Sequence, residues 1–163
     1  MEPKGETLTM YGAPSESAPL EWDWVAGELA AAGTYWIAAG AGRPHARPVW
    51  GVWGDRLLHL SIGSPTVRRA IEQQPLVTIH LGSASDVVLM EGAVAGTTDD
   101  PGIVSQYERK YDWTYDVSEY GPLTTIAVDV VMAWRSAGWA GRDGFVATGR
   151  WRFPPHTAAS VSS

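Results

Sequence analysis

The sequence predicts a mainly β domain in which six or seven antiparallel strands form a closed or partly closed barrel, with small helices between them. Strand-like segments separated by short turns rich in Gly, Pro and Asp follow one another from Thr34 to Phe153, the pattern of hairpins joined into a meander. At 163 residues, 45% hydrophobic and 18% charged, the chain has the size and composition of one soluble domain with one core. The strands must therefore share a sheet, and closure removes the exposed edges that such a sheet would present.

Residues 1–19 are rich in Pro, Gly, Ser and Glu without a hydrophobic period and are expected to be a flexible arm. From residue 20 to 153 one domain is expected. It opens with a helix over Leu20–Ala32, where Trp24, Val25, Glu28, Leu29 and Ala32 follow the helical repeat and Gly33 stands at the stop. Strands are expected over Thr34–Ala39, Ala46–Trp53 and Arg56–Ile62, the last two joined by a Gly54-Asp55 turn. Ser64 and Pro65 open a second helix, because Ser is a favoured N-cap and Pro is tolerated at the first helical position; Pro75 ends it. Leu76–Leu81 and Asp86–Ala95 form another strand pair, Pro101–Tyr111 a third helix, and Thr125–Trp134 the strongest strand, with Ile126, Val128, Val130, Met132 and Trp134 on one face. A last strand runs from about Gly144 to Phe153, and residues 154–163 are expected to be a disordered tail.

Composition excludes several functions. A formal charge of −6 argues against nucleic-acid binding, which depends on a basic face. No apolar run approaches a membrane span, and the first thirty residues lack the pattern of a secretory signal, so a cytoplasmic protein without membrane attachment is expected. The chain has no cysteine, which removes disulfides and thiolate chemistry. His45, His59 and His80 sit in or beside strands without metal-ligand spacing, and no metal is expected. Nine tryptophans against two phenylalanines suit core and interface packing, with some left to line a pocket. Glu91, inside an apolar strand, is expected to be hydrogen-bonded in a structural role.

Three stretches carry chemistry. In "GRPHARPVWGVW", strand alternation puts Arg47, Val49, Gly51 and Trp53 on one face and Pro48, Trp50 and Val52 on the other. A face that begins with a cation and then becomes small suits a planar heterocycle with an anionic tail, lying close to the backbone at Gly51. On that reading Gly51→Val blocks the ring and leaves stability nearly unchanged. The same residues suit a strand end where Arg47 pairs with a carboxylate and Gly51 makes a bulge, and the two readings stand side by side. In "SIGSPTVRRAI", Ser61, Gly63 and Ser64 meet free N–H groups at a helix N-terminus, with Arg68 four residues after Ser64; this is an anion cradle or an ordinary capped helix with exposed arginines. In "ATGRWRF", Thr148, Arg150 and Arg152 share a strand face, either around an anion or simply solvated.

The ordered set of "GRPHARPV", "QQPLV", "LMEG" and the terminal "GRWRF" resembles the split-barrel proteins related to pyridoxamine 5′-phosphate oxidase, in the branch that includes deazaflavin-dependent reductases. The resemblance spans Tyr35 to Phe153, about three-quarters of the chain. It implies an FMN-binding type of split barrel, and a homodimer with two interface sites, each holding FMN or, alternatively, a deazaflavin coenzyme of the F-420 type. It further implies an oxidoreductase that passes a hydride to or from a small organic substrate, or a flavin-binding protein without turnover. Arg47, Pro48, Val49, Trp50 and Gly51 would offer backbone to the ring and Arg47 its guanidinium to the phosphate side. The resemblance departs at Val67, where relatives often carry Lys or Arg, so phosphate binding would fall to Ser64, Arg68 and Arg69; Ser61, Arg150 and Arg152 are counted with them among the cofactor-binding residues. It implies no catalytic side chain.

Overall fold

A computed structural model of the chain describes residues 3–9 and 18–154. Its elements are β1 (Gly5–Glu6), β2 (Ala18–Pro19), α1 (Trp22–Ala31), β3 (Tyr35–Ala39), β4 (His45–Gly54), β5 (Leu57–Ser61), α2 (Pro65–Gln73), β6 (Leu76–His80), β7 (Asp86–Thr98), α3 (Pro101–Tyr111), α4 (Val117–Tyr120), β8 (Leu123–Ser136) and β9 (Phe145–Arg152). The order β8-β5-β4-β3-β6-β7 closes through a β7–β8 pairing, so six antiparallel strands form the expected barrel. β8 is long enough to serve two neighbours on one edge. Its first half pairs with β5 and its second half with β9, the seventh antiparallel strand.

The barrel interior is filled by alternate residues of these strands, among them Ile37, Leu58, Leu60, Met90, Ile126 and Val131. α1 closes the end where β3 begins: Val25 and Leu29, four residues apart, are fully buried, and Leu29 accepts the Tyr35 hydroxyl at 2.6 Å. α2 closes the end where β3 finishes, burying Val67, Ala70 and Ile71. Ser64 caps it by accepting from the Val67 N–H, with Pro65 in the first turn, as the sequence predicts. α3 and α4 lie outside the barrel over β4, β5 and β8, with a second core of Val52, Tyr107, Tyr115 and Leu123 beneath them.

Two expectations are corrected. Along β8 the five residues expected on one face do not share it: Ile126 and Val128 are buried, but so are Val131 and Ala133, while Val130, Met132 and Trp134 face outward. Gly92 pairs with Val128 and Glu91 with Val130, so Asp129 is an extra residue, and this bulge reverses the faces. Glu91 is exposed on the outer face, so burial imposes no partner on it.

Within the arm expected over residues 1–19, β1 pairs antiparallel and β2 parallel with β9. Leu8 is buried, its backbone N–H on the Thr148 hydroxyl at 3.0 Å. Backbone pairing needs no hydrophobic period, which is why the composition of the segment did not announce it. Residues 1–2 and 10–17 of that segment and residues 155–163 of the expected tail lie outside the described residues. Among the described residues no helix is long and apolar enough to cross a membrane.

Candidate functional site

β4 and β5 run side by side with Trp50 opposite Ser61 and Val52 opposite His59, so these four side chains share the outer face of the barrel. Where β5 ends, Gly63 and Ser64 lead into α2. The first residues of β4, the end of β5 and the cap of α2 therefore converge. They line one open cleft of about 400 Å³ with Arg47, Pro48, Val49, Trp50, Ser61, Gly63 and Ser64, closed on the α3 side by Tyr107 and Trp113. Six of the eleven residues singled out from the sequence are thus brought together: Arg47, Pro48, Val49, Trp50, Ser61 and Ser64.

The electrostatics of the cleft are set by Arg47 and by the start of α2. Arg47 is exposed and its guanidinium donates only to the adjacent Ala46 carbonyl, at 2.7 Å. No carboxylate pairs with it among the described residues, which removes the reading of Arg47 as one half of a strand-end ion pair. The start of α2 lies beside it; Pro65 has no N–H and the Val67 N–H is taken by Ser64, so what the helix offers the cleft is its partial positive charge. Trp50, 44% exposed, forms the apolar wall. It stacks on Tyr111 with ring centroids 4.6 Å apart and planes within 5°, and meets the edge of Trp113 at 6.0 Å. A cation, a dipole end and a flat aromatic wall together can hold a planar molecule with an anionic tail.

The other five residues fall elsewhere or are otherwise engaged. Gly51 is buried, and a Cβ there would stand 2.6 Å from both the His59 carbonyl oxygen and the Leu60 Cδ2. The glycine is required by the close approach of β5. Its backbone edge, expected to be open to a ring, is taken: the N–H goes to the Tyr111 hydroxyl at 2.8 Å, and the carbonyl accepts from Tyr111 at 3.0 Å and from Lys110 at 2.9 Å. These groups are free for α3 because β3 begins only at Tyr35, opposite Val49. Arg68 is turned back on the carbonyls of Ile62 and Tyr120 and lines a different cleft with Glu72. Arg69 is exposed on α2 and is not among the residues lining the cleft.

Arg150 reaches the Met132 sulfur at 3.8 Å, and Arg152 lies in a groove with Trp22, Trp53 and Arg56. That groove is at the far end of β4, six residues or roughly 20 Å along the strand from Arg47. Val67, the position at which the resemblance was expected to depart, is fully buried, so position 67 points into the core and away from the cleft.

From the sequence alone "YERKYDWTYD" reads either as a cover over the partner subunit's site or as only the end of an amphipathic helix; here it covers the cleft of its own chain. Tyr107 and Tyr111 lie four residues apart on one face of α3, and with Trp113, Tyr115 and Tyr120 they form a contiguous cluster with Trp50. The spacing was present in "YERKYDWTYD", but nothing in it named the strand that the helix would cover. Burial pushes the Tyr107 phenol up to about 12, with the Ser61 hydroxyl opposing. His59, also under this cover, shares a hydrogen bond with the Thr125 hydroxyl at 2.9 Å, and burial lowers its affinity for a proton, Asp100 opposing. Among the described residues no three His, Asp or Glu side chains group as metal ligands.

No family model matches the sequence, and no curated protein matches it. Solved structures do. A candidate 5-nitroimidazole antibiotic resistance protein from Bacteroides thetaiotaomicron superposes with a TM-score of 0.57 at 12% identity, covering 92% of this chain and 93% of its own. A candidate pyridoxamine 5′-phosphate oxidase from Listeria innocua gives 0.54 at 17% identity over 68% and 95%, and a FAD-binding protein from Mesorhizobium loti 0.52 at 15% over 80% and 93%. With the closed six-stranded barrel and its extra seventh strand, these matches establish that the chain has the split-barrel fold of the pyridoxamine 5′-phosphate oxidase-like proteins.

Proposed function

We propose that the protein is an oxidoreductase that binds a flavin-type cofactor, FMN or a deazaflavin coenzyme of the F-420 type, in the cleft between β4 and α2, and passes a hydride between it and a small organic substrate. The observation that carries this reading is the meeting of an unpaired Arg47, the start of α2 with Ser61 and Ser64, and the exposed face of Trp50 in one cleft. Those donors fit a phosphate and that wall fits a fused ring. The fold neighbours whose names include FAD binding and pyridoxamine 5′-phosphate oxidase support the same class of ligand. When bound, such a cofactor supplies the hydride chemistry, and the protein supplies orientation and electrostatics. Arg47 and the α2 N-terminus hold the anionic end, Trp50 sets the plane of the ring, and Tyr107 and Trp113 keep water from that side.

A homodimer belongs to the same proposal. Pro48, Trp36, His80, Leu89, Met132 and Arg150 stand directly opposite one another across six strands, a row on the outer face of β4-β3-β6-β7-β8-β9. The buried residues of α1 and α2 join the inner core and those of α3 join the second cluster, so none of these helices covers the row. Trp36 is 37% exposed there and stacks on His80 at 6.2 Å. Because Pro48 belongs both to this row and to the cleft, a second copy seated on the face would border the cofactor. We place the protein in the cytoplasm on the same footing.

The test is a titration of the purified protein with FMN, with the deazaflavin coenzyme and with riboflavin, followed by visible absorption. Tight binding of a phosphorylated form, bleaching on reduction and return of colour with an oxidised substrate support the enzyme. Binding without turnover supports the alternative, a non-catalytic flavin carrier. Equal affinity for riboflavin and FMN removes the phosphate cradle.

A further inference from the structure

Only two of the twelve basic side chains in this sequence are lysines, Lys4 and Lys110, and Lys110 sits where an arginine would not behave in the same way. Its Nζ donates to the Tyr35 hydroxyl oxygen at 3.0 Å and to the Gly51 carbonyl at 2.9 Å. Tyr35 gives its own proton to the Leu29 carbonyl, so both acceptors are neutral. No carboxylate pairs with Lys110 among the described residues.

The titratable and charged groups around it are Arg109 and Tyr111 on α3 and Tyr35 on β3; the neighbouring parts of β4 (Gly51, Val52, Trp53) and of α1 (Ala30) contribute none. An ammonium carries three N–H donors, and this network takes two. The third finds no nitrogen or oxygen acceptor among the described residues, only the faces of the Tyr35 and Tyr111 rings at 4.9 and 5.5 Å from Nζ, and loss of one proton replaces it with a lone pair while both hydrogen bonds survive. Burial accordingly brings the Lys110 amine down to about 8, whereas an arginine here would stay protonated. The side chain is half-buried and lines an open cleft of about 320 Å³ whose other polar groups are Gln106 and Arg109.

We propose that this second cleft is a covalent capture site for small aldehydes that carry a negative charge, with Lys110 Nζ as the nucleophile and the Arg109 guanidinium as the partner of the anion. The neutral amine forms a bond to the carbonyl carbon as the carbonyl π pair moves to oxygen. That oxygen takes a proton from solvent and the nitrogen releases one, giving a carbinolamine. The C–O bond then breaks, the hydroxyl leaves with a second proton as water, and the nitrogen loses its remaining exchangeable proton as the C=N bond forms. Amine plus aldehyde gives imine plus water, with no oxidant or reductant consumed. A desolvated lysine beside another cation is the recognised setting for such chemistry. The inference is independent of cofactor binding in the cleft at Arg47.

The probe is glyoxylate, an aldehyde with a carboxylate, added to the full-length protein with cyanoborohydride to fix the imine, and each lysine is followed by peptide mass mapping. Each unit of pKa depression raises the neutral fraction about tenfold, so Lys110 is expected to be labelled at least ~10 times faster than Lys4 near neutral pH. Its rate should reach half its plateau near pH 8. Arg109→Gln should slow labelling by glyoxylate and leave labelling by acetaldehyde unchanged. Equal rates at Lys110 and Lys4 in the unmutated protein overturn the capture site, and a loss in Arg109→Gln that is the same for both aldehydes overturns the role of Arg109.

Discussion

The hydroxyl of Tyr111 accepts the backbone N–H of Gly51 at 2.8 Å and donates to the carbonyl of the same residue at 3.0 Å. One phenol thus does for β4 what a neighbouring strand does elsewhere, and it ties α3 to the barrel. Tyr111→Phe keeps the stacking on Trp50 but leaves that N–H unpartnered. A buried donor left without a partner costs about 1–3 kcal/mol. The expected result is a lower urea midpoint with an unchanged slope, since the folded surface is unaltered.

Gly51 itself is held to glycine by β5. Even alanine would bring its Cβ within 2.6 Å of the His59 carbonyl and of Leu60, and forced overpacking of this kind costs about 1–3 kcal/mol. Gly51→Ala is therefore expected to lower the unfolding midpoint of the cofactor-free protein. This reverses the expectation, drawn from strand alternation alone, that a side chain at 51 affects only a ligand.

That reversal marks what the sequence can and cannot say. The β4–β5 hairpin and the Ser64-Pro65 start of α2 were legible because each follows from local rules of turns and capping over a few residues, whereas the convergence of Arg47 with Ser61 and Ser64 was what the resemblance implied. Asp129 was not, because a bulge is a relation between two strands and one strand's sequence cannot display it. Arg150 and Arg152 were grouped with Arg47 by residue type, yet they stand on β9, which meets the barrel only through the second half of β8. The Tyr107–Tyr111 spacing was visible as a helix face, while its target on β4 depended on where β3 happens to begin.

His59 makes stability depend on pH in the mildly acid range. Burial lowers its folded-state pKa below the ordinary histidine value, so below about pH 6.5 the unfolded chain binds a proton that the folded one resists. The associated stability is complete above that value and is lost as pH falls toward the folded-state pKa. Urea midpoints should drop between about pH 7.5 and about pH 5.5, and His59→Gln should show a smaller drop over the same interval.

Trp36 tests the assembly. It stands second in the row, between Pro48 and His80, on a face that α1, α2 and α3 leave open. An isologous contact repeats each substitution twice, and a carboxylate in its apolar centre is left without a partner. Trp36→Glu should convert the proposed dimer to a monomer in sedimentation equilibrium at micromolar concentration, with little effect on folding, because the side chain points away from the core. An unmutated protein that is already monomeric removes the dimer.

Arg47 and Arg68 separate a phosphate ligand from a structural cation. Both were expected from the sequence to hold the anion, but only Arg47 has a guanidinium that meets no more than a neighbouring carbonyl. Arg68 is anchored to Ile62 and Tyr120 and faces another cleft. A hydrogen bond to a charged group contributes about 1.5–3 kcal/mol, so Arg47→Ala should weaken FMN or the deazaflavin coenzyme by about 10- to 150-fold and leave riboflavin nearly unaffected. Arg68→Ala should change neither affinity by more than about twofold, while freeing two carbonyls that lower the unfolding midpoint. Arg56→Ala, at the far end of β4, serves as the control for charge alone. If Arg68→Ala and Arg47→Ala weaken FMN equally, α2 turns its first cation toward the cleft on binding, and the phosphate sits deeper along the helix than Arg47 and Ser64 place it.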